Sequence, residues 1–143
     1  MQKSSKPTSC GVLVQVGNHY LVAHSTNCGF SYGIPKGLCN TGESKIDAAL
    51  RELREETGIT LQPQELISLS PWLEYSTPRK QICVFKAILD SKPAKLECTS
   101  RTKEGIPEFD QFLWVTLDEA LQYVRNNHMK AIFNKEAQDA NKS

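Results

Sequence analysis

The stretch GIPKGLCNTGESKIDAALRELREETGI, from Gly33 to Ile59, joins a loop rich in glycine to a short helix rich in glutamate. Glu52, Glu55 and Glu56 fall within five consecutive positions. On an exposed helix, like charges at this spacing repel each other by roughly 0.2–0.5 kcal/mol per pair. Something must compensate this repulsion, and a bound cation is the simplest candidate.

The helix is predicted to run from Ser44 to Thr57, with Ser44 as the N-cap residue and Gly58 as the left-handed C-terminal cap. At roughly 100° per residue, its apolar positions share one narrow arc, which we expect to face the core. These positions are Ile46, Ala49, Leu50, Leu53 and Thr57. The three glutamates share another side, where i, i+3 and i+4 spacing brings their carboxylates within reach of a common point.

Two features favour a metal site over a solvated acidic surface. The glutamates lie in the C-terminal half of the helix, where the helix dipole disfavours negative charge. The preceding loop contains Gly33, Gly37 and Gly42, which permit tight backbone geometry, and Lys36 brings a cation to the same neighbourhood. Because Mg²⁺ prefers carboxylate, water and phosphate oxygens, the stretch predicts metal-assisted chemistry on a phosphate.

Composition indicates an ordinary globular chain. Its 143 residues carry a net charge of +1, which argues against a protein that coats duplex nucleic acid but is compatible with a nucleotide substrate. Residues 1–9 are interpreted as a flexible N-terminal tail and residues 10–140 as a single domain. No apolar run approaches the roughly 20 residues of a membrane span, so we expect a cytoplasmic protein without a membrane partner.

The five cysteines are odd in number and widely spaced, and no C-x-x-C pair occurs. This pattern favours free thiols over a disulfide framework or a zinc site. Cys39 differs from the others because it lies in the polar loop before the glutamate helix.

The rest of the chain alternates between β-rich and helical segments. Gly17-Asn18 predicts a hairpin turn between two short strands. Further strands are predicted in LISLSPWLEYS, RKQICVFKAIL and EFDQFLWVTL, with an irregular segment at residues 90–108. The segment DEALQYVRNNHMKAIFNKEA is predicted to be helical, with a break near Asn126-Asn127. This order predicts a mixed sheet flanked by helices.

From Gly37 to Ile59 the chain resembles the Nudix box. This motif consists of a glycine, five residues of any type, a glutamate, seven residues of any type, and then R-E-apolar-x-E-E-x-G-apolar. The fixed places are filled by Gly37, Glu43, Arg51, Glu52, Glu55, Glu56 and Gly58. The resemblance implies a Nudix hydrolase with an α/β/α sandwich, in which a mixed sheet lies between helices. It also implies cleavage of a nucleoside diphosphate linked to another group.

The resemblance further implies a Mg²⁺ or Mn²⁺ cofactor. The implied ligands are Glu52, Glu55, Glu56 and the Gly37 carbonyl. A metal-bound water, deprotonated with help from Glu52 or Glu56, would attack phosphorus. Glu43 and Arg51 would pair and hold the loop against the helix, a structural role that suits a bidentate arginine–carboxylate contact.

Outside the box, YGIPKG, CGVLV, LEYSTPRKQICVFKAIL and EFDQFLWVTLDEA are similar to the dinucleoside polyphosphate hydrolases. This resemblance implies that Lys36 binds a phosphate, that Tyr75 stacks on a base, and that Glu108 adds an acidic group near the metal. The alternatives are a surface lysine, a strand tyrosine at the rim of the core, and an ordinary loop glutamate.

The leading hypothesis is hydrolysis of diadenosine tetraphosphate to ATP and AMP. A second hypothesis keeps the chemistry and changes the substrate to the 5′-triphosphate end of RNA or to nucleoside triphosphates. An RNA substrate is less favoured because it needs an extended basic surface. A third hypothesis is a non-catalytic nucleotide sensor, which the complete glutamate set argues against. A monomer or a dimer is expected.

Overall fold

The computed structural model describes residues 6–26 and 31–141. The strands are β1 (Thr8–Val16), β2 (His19–Ser25), β3 (Tyr32–Gly33), β4 (Lys36–Leu38), β5 (Leu73–Ser76), β6 (Gln81–Leu89) and β7 (Phe109–Val115). The helices are α1 (Lys45–Thr57), α2 (Leu117–Tyr123) and α3 (Asn127–Asn141), and a 3₁₀ turn spans Pro63–Glu65. Residues 1–5 of the predicted tail lie outside the described residues, whereas Thr8 and Ser9 lie in β1.

The described strands form one mixed sheet, as predicted. Its main path runs β3-β2-β1-β6-β5, with β4 also paired to β1 and β7 to β2. The β1 and β6 strands are parallel, from Thr8 opposite Gln81 to Val16 opposite Leu89, whereas the other pairings are antiparallel. The predicted hairpin between β1 and β2 is confirmed, and Gly17 adopts the positive φ of 58° that its turn requires.

Helices cover both faces of this sheet. Along β1, Val12 and Val14 belong to the core cluster that contains Leu53 of α1, whereas Leu13 belongs to the cluster that contains Phe133 of α3. Alternate residues of a strand point to opposite faces, so β1 is buried on both sides. The predicted arrangement of a sheet between helices is therefore confirmed.

Helix α1 begins and ends at the predicted caps. The Ser44 side chain accepts a hydrogen bond from the Asp47 backbone N–H at 3.1 Å. Gly58 has a φ of 84° and donates to the Arg54 carbonyl at 2.9 Å. The predicted apolar arc faces the core, with Leu53 and Thr57 fully buried.

Of two segments with turn-forming residues, one differs from its prediction and the other agrees with it. Only Leu73–Ser76 of LISLSPWLEYS forms a strand. The earlier part is irregular because Pro71 lacks an N–H for a ladder and the Ser68 hydroxyl accepts from the Ser70 N–H at 3.0 Å. The predicted break near Asn126 is confirmed, since its Oδ1 accepts from the backbone N–H groups of His128 and Met129 and so caps α3.

The predicted free thiols are confirmed for the cysteines that the structure describes, which are Cys10, Cys39, Cys83 and Cys98. Cys28 lies outside the described residues. Cys39 is partly buried, and its Sγ donates to the Glu43 carbonyl oxygen at 3.0 Å, within the loop that leads into α1.

None of the helices within residues 6–26 and 31–141 has both the length and the apolar character that crossing a bilayer requires.

A buried ion pair joins the sheet to α3. Lys86 Nζ of β6 lies 2.6 Å from Glu136 Oε1, and Tyr20 of β2 donates its hydroxyl to the other Glu136 oxygen. Both charged residues are nearly fully buried. Removing one partner of such a pair leaves the other charge buried and uncompensated.

We therefore expect Glu136→Ala to lower the free energy of unfolding by about 3–5 kcal/mol in urea denaturation. The double variant Lys86→Met/Glu136→Leu removes both charges and should recover most of this loss. An alanine variant as stable as the parent protein would show that the pair does not stabilise the fold.

Candidate active site

The Arg51 guanidinium is the central polar group of the site. Its Nε and Nη2 grip the two Glu43 oxygens at 2.8 and 3.1 Å, and Nη2 also donates to the Leu38 carbonyl at 3.0 Å. Its Nη1 lies 3.0 Å from a Glu52 oxygen and 3.2 Å from a Glu55 oxygen. The guanidinium therefore ties the glycine-containing loop to α1. It also lowers the pKa of Glu43, mainly through the hydrogen bond.

Glu52 lies directly against the backbone of Gly37. A Cβ atom at position 37 would overlap the carboxylate carbon and both carboxylate oxygens of Glu52. The glycine is therefore required for this close approach. Pairing of Gly37 with Cys10 holds the loop in the sheet at this point.

Glu56 is the buried carboxylate of the cluster, with an exposed fraction of 3%. Its Oε1 accepts a hydrogen bond from the Lys36 backbone N–H at 2.9 Å. Burial, followed by the hydrogen bond and charge of Glu52, raises the pKa of Glu56 to about 10, and the charge of Glu108 contributes in the same direction. A second carboxylate beside a buried one makes its ionisation costly unless a cation is present.

That the three glutamates together hold a metal ion stays a prediction, because Arg51 contacts two of the carboxylates in this structure. Within residues 6–26 and 31–141, no group of three acidic, histidine or cysteine side chains is arranged to hold a metal ion. The physical reason is Arg51, whose Nη1 lies against the carboxylates of both Glu52 and Glu55. Glu56 instead points to the Lys36 N–H. The oxygen donors are the type that Mg²⁺ prefers. Burial, with the hydrogen bond and charge of Glu52, raises the pKa of Glu56.

Backbone hydrogen bonds connect Glu108 to the end of α1 through the irregular segment after β6. The backbone carbonyl of Glu55 accepts hydrogen bonds from Thr99 and Ser100 at 2.7 and 3.1 Å, so the irregular segment after β6 docks on the end of α1. The Glu108 N–H then donates to the Ser100 carbonyl at 3.0 Å. This docking explains how the charge of Glu108 comes to act on Glu56.

Lys36 joins the glutamates to a cavity. Burial and the charge of Lys80 lower the pKa of the Lys36 ammonium, while the charges of Glu56 and Glu52 oppose this shift. The Lys36 ammonium is therefore near enough to both the glutamates and Lys80 for their charges to act on it. This position suits a contact with phosphate.

The cavity has a volume of about 370 Å³. Its lining includes Lys36, Tyr75, Arg79, Lys80, Asn126 and His128. The Tyr75 hydroxyl donates to the His128 carbonyl at 2.5 Å, which fixes the ring, and burial raises the pKa of Tyr75 to about 12. The structure thus brings Lys36 and Tyr75 into one cavity.

Sequence reasoning missed the wall formed by residues 126–129. The sequence pattern assigns no role to His128, whereas this residue lines the cavity together with Tyr75. The only available signal was the break near Asn126, because a helix break places side chains and backbone groups at a new angle.

A family model described as NUDIX domain matches residues 5–135. The chain belongs to the Nudix family. The resemblance recognised in the box is therefore confirmed, and so is its implied class of fold.

Curated Nudix relatives include proteins named RNA pyrophosphohydrolase. The chain is 32% identical over 106 residues to that of Xanthomonas oryzae pv. oryzae (strain MAFF 311018), an alignment covering 63% of this chain and 49% of the relative. It is 30% identical to that of Stenotrophomonas maltophilia (strain K279a), with the same coverage. The chain spans about half the length of the curated relatives it matches.

Among solved structures, a C. elegans Ap4A hydrolase binary complex superimposes with a TM-score of 0.75 at 19% identity, covering 94% of this chain and 99% of that one. A MutT protein from Methanosarcina mazei Go1 gives a TM-score of 0.68 at 18% identity over the full length of both chains. These likenesses show the Nudix fold.

The buried Glu56 gives a prediction for metal-free protein. Its folded-state pKa lies above the ordinary value of 4.5, so the stability linked to this group is complete below pH 4.5 and is lost as the pH rises toward about 10. Glu56→Gln removes the charge and keeps the acceptor for the Lys36 N–H. In EDTA at pH 8 we expect this variant to be more stable than the parent by on the order of 2 kcal/mol.

Urea denaturation at pH 8 and pH 5 measures this difference, which should shrink at the lower pH. Exposed Glu104 provides the matched control, since Glu104→Gln should change stability at neither pH. Equal effects of Glu56→Gln at both pH values would show that folding does not raise the pKa of the Glu56 carboxyl group.

Proposed function

We propose that this protein is a divalent-metal-dependent pyrophosphohydrolase whose leading substrate class is the dinucleoside polyphosphates. The favoured reaction is cleavage of diadenosine tetraphosphate to ATP and AMP. The observation that carries the proposal is the position of Lys36, whose backbone contacts Glu56 and whose side chain lines the cavity that contains Tyr75. The glutamate cluster and a cavity large enough for a nucleoside therefore adjoin at Lys36.

The metal would be held by the oxygens of Glu52, Glu55 and Glu56, with the Gly37 carbonyl as a further donor. When bound, Mg²⁺ or Mn²⁺ supplies an acidified water and neutralises charge on the phosphate oxygens. Arg51 binds Glu43 through Nε and Nη2 and so holds the loop against the helix. Its third nitrogen, Nη1, faces Glu52 and Glu55.

The chain's own residues account for proton transfer and positioning. Burial and Glu52 raise the proton affinity of Glu56, which suits Glu56 to accept a proton from the attacking water. Glu52 is the alternative acceptor because it adjoins Glu56. Glu108 adds negative charge at the same place, and this supports its predicted role near the metal.

The cavity residues account for substrate binding. The ring of Tyr75 is fixed by its hydrogen bond to the His128 carbonyl, so it offers a preorganised surface for stacking on a base. Lys36, Arg79 and Lys80 line the same cavity and supply positive charge for a chain of phosphates. The fold shared with an Ap4A hydrolase gives the substrate class to test first.

The second candidate is removal of pyrophosphate from the 5′ end of RNA. The curated relatives named RNA pyrophosphohydrolase favour it, since they align at 30–32% identity. Against it stands the net charge of +1, which gives little attraction for a long phosphate backbone. Nucleoside triphosphates are a third possible substrate, because the same glutamates would act on them. Residence in the cytoplasm and a monomeric or dimeric state stay predictions.

The proposal predicts a substrate ranking. Purified protein with Mg²⁺ should hydrolyse diadenosine tetraphosphate to ATP and AMP faster than it hydrolyses nucleoside triphosphates or triphosphorylated RNA, as followed by chromatography of the products. EDTA should abolish the reaction. Turnover of RNA alone would replace the leading function with the second candidate, and turnover of nothing would indicate a nucleotide sensor.

Glu56→Gln should lower kcat by about 10²–10⁴-fold, as expected for loss of a general base, while circular dichroism shows an intact fold. Because the glutamine is nearly the same size, this change tests the charge rather than the packing. Glu104→Gln should keep the parent rate. Full activity of Glu56→Gln would show that the metal site and the general base lie elsewhere in the protein.

A further inference from the structure

A second cavity, of about 180 Å³, adjoins the first. Its own lining includes Tyr32, Ser31 and Phe109. It shares three wall residues with the larger cavity, namely Lys36, Asn126 and Met129. The two spaces therefore share one partition, formed by these three residues, which contains the proposed phosphate-binding lysine.

The partition combines a fixed part and an adaptable part. The Asn126 side chain is held by hydrogen bonds from the N–H groups of His128 and Met129, at 2.8 and 3.2 Å. The Met129 thioether packs over Gly33, where a Cβ atom would lie 2.8 Å from the methionine methyl carbon. Methionine is flexible and polarizable, so this part of the wall can adjust to a flat ligand on either side.

The smaller cavity offers aromatic surface. Tyr32 is held by a hydrogen bond from its hydroxyl to Gln111 at 2.9 Å and by an edge contact with the ring of Tyr123 at 5.3 Å between centroids. Phe109 is half-buried and pairs with Ser25 where the register of β2 against β7 shifts. Such a bulge turns a side chain away from the regular strand direction and is common beside functional sites.

The smaller cavity also lies beside the glutamates. Phe109 directly follows Glu108, whose charge acts on Glu56. Lys36, which also lines the smaller cavity, contacts Glu56 through its backbone. A phosphate chain at Lys36 would thus adjoin both cavities.

We propose that the smaller cavity binds the second base of a dinucleoside polyphosphate, with Phe109 as the residue that stacks on it. This inference rests on the proposed function and extends it from one nucleoside site to two. Tyr75 lies in the larger cavity and takes the first nucleoside, while the phosphate chain crosses the partition at Lys36. The volume of the smaller cavity is below the roughly 300 Å³ at which pockets for whole ligands begin, so it suits a base alone.

The test compares two substrates that share four phosphates. Diadenosine tetraphosphate carries two nucleosides, whereas adenosine 5′-tetraphosphate carries one. Phe109→Leu removes the aromatic ring and keeps an apolar side chain, so it should raise KM about tenfold for the first substrate, as expected for the loss of one stacked base. It should leave KM for adenosine tetraphosphate unchanged.

Two matched variants complete the design. Tyr75→Leu, in the larger cavity, should raise KM for both substrates. Phe112→Leu, on the same strand but packed toward the core that contains α1, should change neither KM. This control separates stacking from a general disturbance of β7.

The outcomes distinguish the inference from the function on which it rests. If the parent protein hydrolyses diadenosine tetraphosphate and Phe109→Leu alters both KM values equally or neither, the second base site is wrong and the function stands. If the parent hydrolyses neither tetraphosphate, both are wrong. Phe109→Leu could instead lower the activity on the triphosphorylated dinucleotide pppApA relative to ATP, with no effect on diadenosine tetraphosphate. That result would assign the cavity to the second nucleotide of RNA.

Discussion

The contact on which the site depends is the grip of one guanidinium on several carboxylates. Arg51 pairs with Glu43 in the loop and also faces Glu52 and Glu55 on its own helix. One positive charge thus faces three negative ones, while Glu56 is buried nearby and accepts a hydrogen bond from the Lys36 backbone N–H. Arg51 organises the acidic cluster without neutralising it. The remaining negative charge is what a divalent cation would balance.

The sheet explains why this cluster lies beside a cavity. Gly11 of β1 pairs with Lys36 of β4, and a Cβ atom at position 11 would lie 2.5 Å from the Pro35 carbonyl and from the Lys36 Cβ. The absence of a side chain lets β4 cross close to β1. Parallel pairing of β1 with β6 then brings the turn at Thr77–Lys80 to the same end of the sheet. Lys36 therefore meets the glutamates and the cavity at once, a geometry that depends on strand register.

Local chemistry explains which features could be predicted. The ends of α1, the turn at Gly17 and the break at Asn126 each depend on residues within a few positions, and all three were predicted. The pair formed by Glu43 and Arg51 was implied by family resemblance, and its geometry is bidentate. The strand β5 was predicted to begin too early, because the alternating apolar residues of LISLSP are typical of a strand although Pro71 and the serines prevent one.

Other features depend on contacts between distant segments, which a single sequence does not reveal. The docking of residues 99–100 on the Glu55 carbonyl and the cavity wall at His128 both belong to this class. The orientation of the glutamate side chains also depends on such contacts. Helical spacing places three carboxylates on one side of a helix, but it does not reveal that Arg51 contacts two of them. Helical spacing thus predicted that the carboxylates lie near one another, and their joint hold on a metal ion stays a prediction.

This division also explains why the box leaves the substrate open. Residues of the box contact one another and would act on phosphate oxygens, which every candidate substrate shares. The surfaces that could tell one substrate from another come from the β5–β6 turn, the segment between α2 and α3, and the first residue of β7. These segments lie outside Gly37–Ile59, so they can change while the glutamates stay the same. Proteins named for RNA and for Ap4A can therefore share this fold, and specificity in this chain should be sought in the two cavities that meet at Lys36.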